Sequence, residues 1–123
     1  MENEQRILIV EDDGSVSDFL SMALTDEGYK VGVANNGWIG LTLVDTFKPD
    51  LILLDMHMPV LDGWDFIAVY RDSSQRVPII GISAVRNAEG LAASLGLSDF
   101  IAKPFSLDEL FDCITRCLSP KRS

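Results

Sequence analysis

Acidic side chains stand directly after two apolar segments of the chain. The segment Arg6–Val10 runs into Glu11 and Asp12, and residues 51–54 run into Asp55. Unbroken apolar segments of this length are typical of strands that are buried on both faces of a parallel sheet. In open α/β sheets, ligands bind at the carboxyl ends of such strands. The spacing therefore indicates a ligand site built from carboxylates.

Three carboxylates on neighbouring strand ends would need a positive partner, because like charges at close range raise one another's pKa. A divalent cation would supply the charge, and all-oxygen ligands suit Mg²⁺ or Mn²⁺. Two more polar residues, Ser83 and Lys103, follow later apolar segments. Lysine can act as a point charge for phosphate, and aspartate is a nucleophile in aspartyl-phosphate chemistry. This set of side chains indicates a phosphoryl-transfer site.

The elements that must position these residues alternate strictly along the chain. Strands are predicted over residues 6–10, 29–34, 51–55, 77–82 and 98–102, and each is followed by a helical stripe, including a short helix over residues 87–95. Strict alternation favours a parallel sheet with helices on both faces, and five units are too few for an eight-fold barrel. The predicted fold is an α/β, doubly wound, flavodoxin-like sheet of strand order 2-1-3-4-5, which makes strands 1 and 3 neighbours.

Length and composition limit the class of protein. The 123 residues are predicted to form a single domain over residues 1–123, with a core over about 6–118, and the 47% hydrophobic content excludes a disordered chain. A net charge of −9 disfavours direct binding to nucleic acid. We expect a cytoplasmic protein without membrane contact, because no apolar run is long enough to span a bilayer and only two cysteines occur.

In the combination of its motifs, the chain resembles the receiver domain of two-component response regulators. The resemblance covers residues 6 to about 118, and each motif alone is weak, whereas all four in order at matching strand ends are specific. The motifs are Glu11-Asp12, Asp55-x-x-Met58-Pro59-x-x-Asp62-Gly63, Ser83-Ala84 and Lys103-Pro104-Phe105.

The resemblance implies a signalling switch. Asp55 would accept a phosphoryl group from a sensor histidine kinase, a phosphotransfer protein or a small phosphodonor. Mg²⁺ would be held directly by Asp12, Asp55 and the backbone carbonyl of His57, with Glu11 acting through water. The domain would not be an enzyme on a separate substrate, because it would catalyse only its own aspartyl phosphorylation and dephosphorylation.

The same resemblance implies how the signal leaves the site. Ser83 would hydrogen-bond a phosphate oxygen, Lys103 would form an ion pair with it, and Phe100 would turn inward as Ser83 moves. The bond between Lys103 and Pro104 would be cis. The surface of the fourth predicted helix, the fifth strand and the last helix, roughly residues 87–118, would contact a downstream protein or a second copy of the chain.

Some positions depart from the commonest pattern of the family. Ser83 replaces a frequent threonine but keeps the hydroxyl, whereas Phe100 replaces a frequent tyrosine, so packing alone would drive the switch. His57 and Val85 lie where family members tune autodephosphorylation. The apolar Val85 cannot position an attacking water by hydrogen bonding, so a fairly long-lived phosphoryl group is expected. The ring of His57 is expected to be an exposed loop side chain rather than a relay.

Alternative functions remain to be compared with this one. A haloacid-dehalogenase-type phosphatase would need a second aspartate two positions after Asp55, where this chain has His57. A flavodoxin would need a phosphate-binding loop in place of the acids after strand 1. A degenerate receiver fold that acts as a phosphorylation-independent binding module is the main alternative, although such domains usually lose the acceptor, the acid pair or the lysine.

Three further residues of ligand type are interpreted as structural. Asp13 is expected to be a loop acid or a charge at the start of a helix. Cys113 and Cys117 lie one helical turn apart and are expected to face the core, because two thiols without a further cysteine or a suitably spaced histidine are poor evidence for zinc.

Overall fold

The computed structural model describes residues 5–58, 61–71, 77–84 and 96–118. These residues form the strands β1 (Arg6–Val10), β2 (Lys30–Ala34), β3 (Leu51–Asp55), β4 (Ile79–Ser83) and β5 (Asp99–Ala102). They also form the helices α1 (Gly14–Asp26), α2 (Gly37–Phe47), α3 (Gly63–Arg71) and α4 (Leu107–Leu118). The short helix predicted over residues 87–95 lies outside the described residues.

The five strands form one parallel sheet. Their order is β2-β1-β3-β4-β5, and every neighbouring pair runs parallel. The predicted fold class and strand order are therefore confirmed. In this order β1 and β3 are adjacent, and their carboxyl ends lie at the same edge of the sheet.

Alternate strand residues face two separate apolar layers, because successive side chains of a strand point to opposite faces. One layer packs the sheet against α1 and α4 through Ile7, Ile9, Leu51, Leu53, Ile80, Ile82, Leu20, Leu24, Leu110 and Ile114. The other packs it against α2 and α3 through Leu8, Val10, Ile52, Leu54, Val44, Phe66, Ile67 and Tyr70. The unbroken apolar segments thus become strands that are buried on both faces, as predicted.

Local side-chain signals fix the helix ends. Oδ1 of Asp13 accepts a hydrogen bond from the backbone N–H of Ser15 at 2.9 Å, which caps α1. The helix ends before Gly28, whose φ of 99° suits glycine. Before α4, Ser106 and Glu109 exchange backbone-to-side-chain hydrogen bonds of 3.0 and 3.1 Å, which is the capping box that the sequence predicts.

Three strands begin later than predicted: β2 and β5 by one residue each, at Lys30 and Asp99, and β4 by two. The sequence pattern starts the fourth strand at Val77, whereas β4 begins at Ile79. The intervening Pro78 has no N–H to donate to a neighbouring strand, although its carbonyl still accepts a hydrogen bond of 3.0 Å from Ile52.

Among the described residues, each helix is too short or too polar to cross a lipid bilayer.

Gly63, at the start of α3, lies against the segment that follows Asp55. A Cβ at this position would lie 2.6 Å from Met56 Cα and 2.7 Å from Met56 Sδ, and the Gly63 N–H donates to the Met56 carbonyl at 3.2 Å. A side chain at this position would displace Met56, the residue next to Asp55.

We predict that Gly63→Ala lowers the free energy of unfolding by about 1–3 kcal/mol, the usual cost of overpacking a dense interior. Urea unfolding measures this change. The matched control is Gly14→Ala, because a Cβ at Gly14 meets no atom within 4 Å, and we expect it to change stability by no more than about 0.5 kcal/mol. Equal losses in both variants would contradict the close approach of Gly63 to Met56.

Candidate functional site

The register of the sheet brings the acids of two strands together. Val10 pairs with Leu54, so Glu11 and Asp55 are the next residues on adjacent strands. One carboxylate oxygen each from Glu11, Asp12 and Asp55 lies within 4.8 Å of the others. The structure therefore unites the three acids that the sequence singles out as a candidate cation site.

These acids differ in burial and in their partners. Glu11 and Asp55 are only 3% and 5% exposed, whereas Asp12 is exposed. Oδ1 of Asp55 accepts the backbone N–H of His57 at 3.0 Å, and Oε2 of Glu11 accepts that of Asp13 at 3.1 Å. Backbone donors therefore orient the two buried carboxylates, while Asp13 itself caps α1, the helix-start role expected for it.

The crowding of the acids changes the protonation of Glu11. Burial, followed by its hydrogen bond with Asp55, raises the pKa of Glu11 from 4.5 to about 7. The ammonium of Lys103 acts in the opposite direction, but its Nζ is 3.9 Å from Oε1 of Glu11, too far for a hydrogen bond. Without a cation, the cluster therefore retains a proton up to near neutral pH. The all-oxygen donor set fits a hard divalent cation such as Mg²⁺.

Lys103 directly follows the edge strand β5, which is separated from β3 by β4. Its backbone N–H donates to the carbonyl of Ser83 at 2.8 Å, which continues the pairing of β4 with β5 beyond Ala102. The peptide bond between Lys103 and Pro104 is cis. With its side chain 34% exposed, Lys103 offers a positive charge that is open to solvent beside the acid cluster.

Ser83 and His57 are in direct contact. The hydroxyl of Ser83 lies 2.7 Å from Nε2 of His57, and Ser83 is only 3% exposed. His57 is exposed, as expected for a loop position, but its ring has a partner that sequence reasoning missed. The predicted strand order could have indicated this contact, because β3 and β4 are neighbours and the residues at their carboxyl ends therefore lie close together.

Phe100 lies on the edge strand β5, three residues before Lys103. It pairs with Gly81 of β4 and is half-buried. Gly81 has no side chain, and a Cβ there would lie 2.9 Å from Leu97 Cδ1 and 3.3 Å from Met56 Sδ.

Comparison with known proteins identifies the family. A model of the "Response regulator receiver domain" matches residues 7–115, which is most of the chain. The chain belongs to the response regulator receiver domain family. Among curated relatives, the transcriptional regulatory protein PcoR of Escherichia coli is 37% identical over 121 residues, covering 97% of this chain and 54% of that protein. CusR of Escherichia coli K12 is 36% identical over 107 residues, covering 85% and 47%.

Solved structures with a similar fold support the assignment to this family. The chemotaxis protein CheY4 of Vibrio cholerae superposes with a TM-score of 0.87 at 28% identity, covering 94% of this chain and 100% of that one. The receiver domain of sensor histidine kinase PA1611 from Pseudomonas aeruginosa, described with a magnesium ion coordinated in its active site cleft, gives 0.86 at 30% identity, covering 96% and 100%. This receiver domain spans about half the length of the curated relatives PcoR and CusR.

A second group of ligand-type atoms in this receiver domain lies between β5 and α4. One ligand atom each from Asp99, Cys113 and Cys117 lies within 4.8 Å of the others. Oδ2 of Asp99 already accepts from Arg116 Nη2 at 3.0 Å, and burial raises the pKa of both thiols. Cys113 belongs to the apolar layer beneath α4, so core packing and a surface ion pair account for the group.

We predict that the metal-free receiver domain loses stability as the pH rises from 4.5 to about 7, the window set by the raised pKa of Glu11. The folded protein holds this proton more tightly than the unfolded chain, so the contribution is complete below 4.5 and is lost as the pH passes the folded pKa. The loss is a few kcal/mol, at about 1.4 kcal/mol per unit of pKa difference.

Urea unfolding at a series of pH values in a chelator measures this effect. Glu11→Gln carries no titrating proton and should remove this part of the decline. Glu27→Gln, at an exposed position beyond α1, should retain it. An equally steep decline in Glu11→Gln and in the unaltered protein would show that another group is responsible.

Proposed function

We propose that this receiver domain is a phosphorylation-activated switch of a two-component system and that Asp55 accepts the phosphoryl group. The observation that carries the proposal is the position of Asp55, which is 5% exposed and lies within 4.8 Å of two further acids. A carboxylate that only ended a strand would not be expected to lie buried beside two further acids. The donor would be a sensor histidine kinase, a phosphotransfer protein or a small phosphodonor.

Asp55 is oriented for attack by its own backbone surroundings. The N–H of His57 donates to Oδ1 at 3.0 Å, which restricts the rotation of the carboxylate. An oxygen of Asp55 would form a bond to phosphorus as the bond between phosphorus and the donor breaks. Asp12, Asp55 and the carbonyl of His57 would hold Mg²⁺, with Glu11 acting through water. When bound, Mg²⁺ would offset the negative charge of the acids and of the incoming group.

Lys103 and Ser83 supply the groups that would respond to the new charge. The ammonium of Lys103 is 3.9 Å from Glu11, so it would re-pair with the phosphoryl oxygens at little cost. The Ser83 hydroxyl would turn to the same oxygens, and Phe100 would follow inward. Charge at Asp55 would thereby shift the population between an inactive and an active arrangement.

We propose that the output surface is formed by β5, by α4 and by residues 87–95, which the sequence predicts to be a further short helix. This surface would contact a protein partner or a second copy of the chain. PcoR and CusR are named as transcriptional regulatory proteins, but the net charge of −9 disfavours contact between this domain and nucleic acid. The expected long life of the phosphoryl group depends on Val85, which lies outside the described residues, and stays a prediction.

We predict that incubation with acetyl phosphate and Mg²⁺ adds the mass of one phosphoryl group to the protein, and that Asp55→Asn or removal of Mg²⁺ abolishes the gain. An amide is a far weaker nucleophile than a carboxylate, whereas its size is nearly the same. Intact-protein mass spectrometry measures the gain.

The matched control is Asp13→Asn, which changes an acid near the cluster but preserves the cap, since asparagine and aspartate are equally good caps. This variant should still take up one phosphoryl group. Uptake by Asp55→Asn at the unaltered rate would assign the acceptor elsewhere. A folded, unaltered protein that gains no mass under any condition would favour the phosphorylation-independent binding module.

A further inference from the structure

His57 connects the proposed acceptor with the proposed switch residue through two different groups. Its backbone N–H donates to Oδ1 of Asp55 at 3.0 Å, and its Nε2 lies 2.7 Å from Oγ of Ser83. Any side chain would preserve the first contact, because the backbone makes it. The second contact depends on the imidazole and is therefore specific to this residue.

We propose that the imidazole of His57 is a positioning residue that holds the Ser83 hydroxyl in the unphosphorylated form of the domain. This inference rests on the proposed function, because it assigns His57 a role in the switch that phosphorylation of Asp55 operates. The phosphoryl group and the imidazole compete for one hydroxyl. The hydroxyl has a single proton to donate, and movement of its oxygen towards the phosphoryl group breaks the 2.7 Å contact in either tautomer of the ring.

The buried position of Ser83 makes this competition significant. Ser83 is 3% exposed, so water cannot freely replace the imidazole as a partner of the hydroxyl. A hydrogen bond of this kind changes an equilibrium by about two- to tenfold. The contact with His57 thus biases the domain towards its unphosphorylated arrangement by a factor in this range, and its loss favours the arrangement in which Ser83 faces the phosphoryl group.

Binding of beryllofluoride, a stable analogue of the phosphoryl group, measures the bias. In saturating Mg²⁺, fluorine NMR titration gives the affinity of the unaltered protein and of each variant. We expect His57→Leu, which is of similar size but cannot hydrogen-bond, to bind about two- to tenfold more tightly. His57→Gln places an amide near the position of Nε2 and should restore the original affinity. Every variant retains the backbone N–H and carbonyl of residue 57.

A double-mutant cycle tests whether His57 acts through Ser83. In a Ser83→Ala background, His57→Leu should leave the affinity for beryllofluoride unchanged, because the hydroxyl under competition is absent. An equal gain in both backgrounds would overturn the proposal, and so would an equal or weaker affinity of His57→Leu with Ser83 present. A purely structural effect of His57 would not depend on the Ser83 hydroxyl.

The hydrogen bond can also be observed directly by NMR, because the chain has only one histidine. At a fixed pH and with Mg²⁺ throughout, Ser83→Ala should shift the ¹⁵N resonance of Nε2, and beryllofluoride should move that resonance of the unaltered protein towards the same value. An Nε2 resonance that is insensitive to Ser83→Ala would overturn the proposal even if phosphorylation occurs at Asp55. An unaltered protein that binds no beryllofluoride would overturn both this inference and the proposed function.

Discussion

Repulsion between carboxylates at the ends of β1 and β3 is the constraint on which the site depends. Two of the three acids are nearly inaccessible to solvent, and burial raises the pKa of Glu11 to about 7. A folded protein tolerates such a cluster only with a bound proton, a bound cation or a neighbouring positive charge. Lys103, at 3.9 Å, is close enough to reduce the repulsion but not to neutralise it. A proton on Glu11 offsets the remaining repulsion up to near neutral pH, and a divalent cation such as Mg²⁺ would replace that proton.

The fold keeps these charges together by means of apolar packing elsewhere. Both faces of the sheet are covered, and the two apolar layers meet at strands whose side chains alternate between them. A one-residue slip of β1 against β3 would send every apolar side chain to the wrong layer. The register that pairs Val10 with Leu54 is thus fixed by the core. The position of Glu11 beside Asp55 follows from that register and needs no attraction between the acids.

Sequence patterns were sufficient to predict the sheet and the acid cluster. Both depend on the periodicity of apolar residues and on the rule that the carboxyl ends of parallel strands lie at the same edge of a sheet. The contact between His57 and Ser83 was not predicted, since the two residues are 26 positions apart and a rotamer decides whether the ring reaches the hydroxyl. The sequence does not distinguish that rotamer from one that points away from Ser83. The later start of β4 at Ile79 reflects the missing N–H of Pro78, which a count of apolar residues does not register.

The number of protons released when Mg²⁺ binds is the most direct test of whether the acid cluster holds a proton that a cation displaces. Calorimetric titrations near neutral pH, in two buffers with different heats of ionisation, give the number of protons released per cation bound. The account predicts that the unaltered protein releases a fraction of one proton from Glu11, whose pKa is about 7 in the metal-free site, and that Glu11→Gln releases none. Equal release by both proteins, or Mg²⁺ binding without proton release by either, would contradict the account.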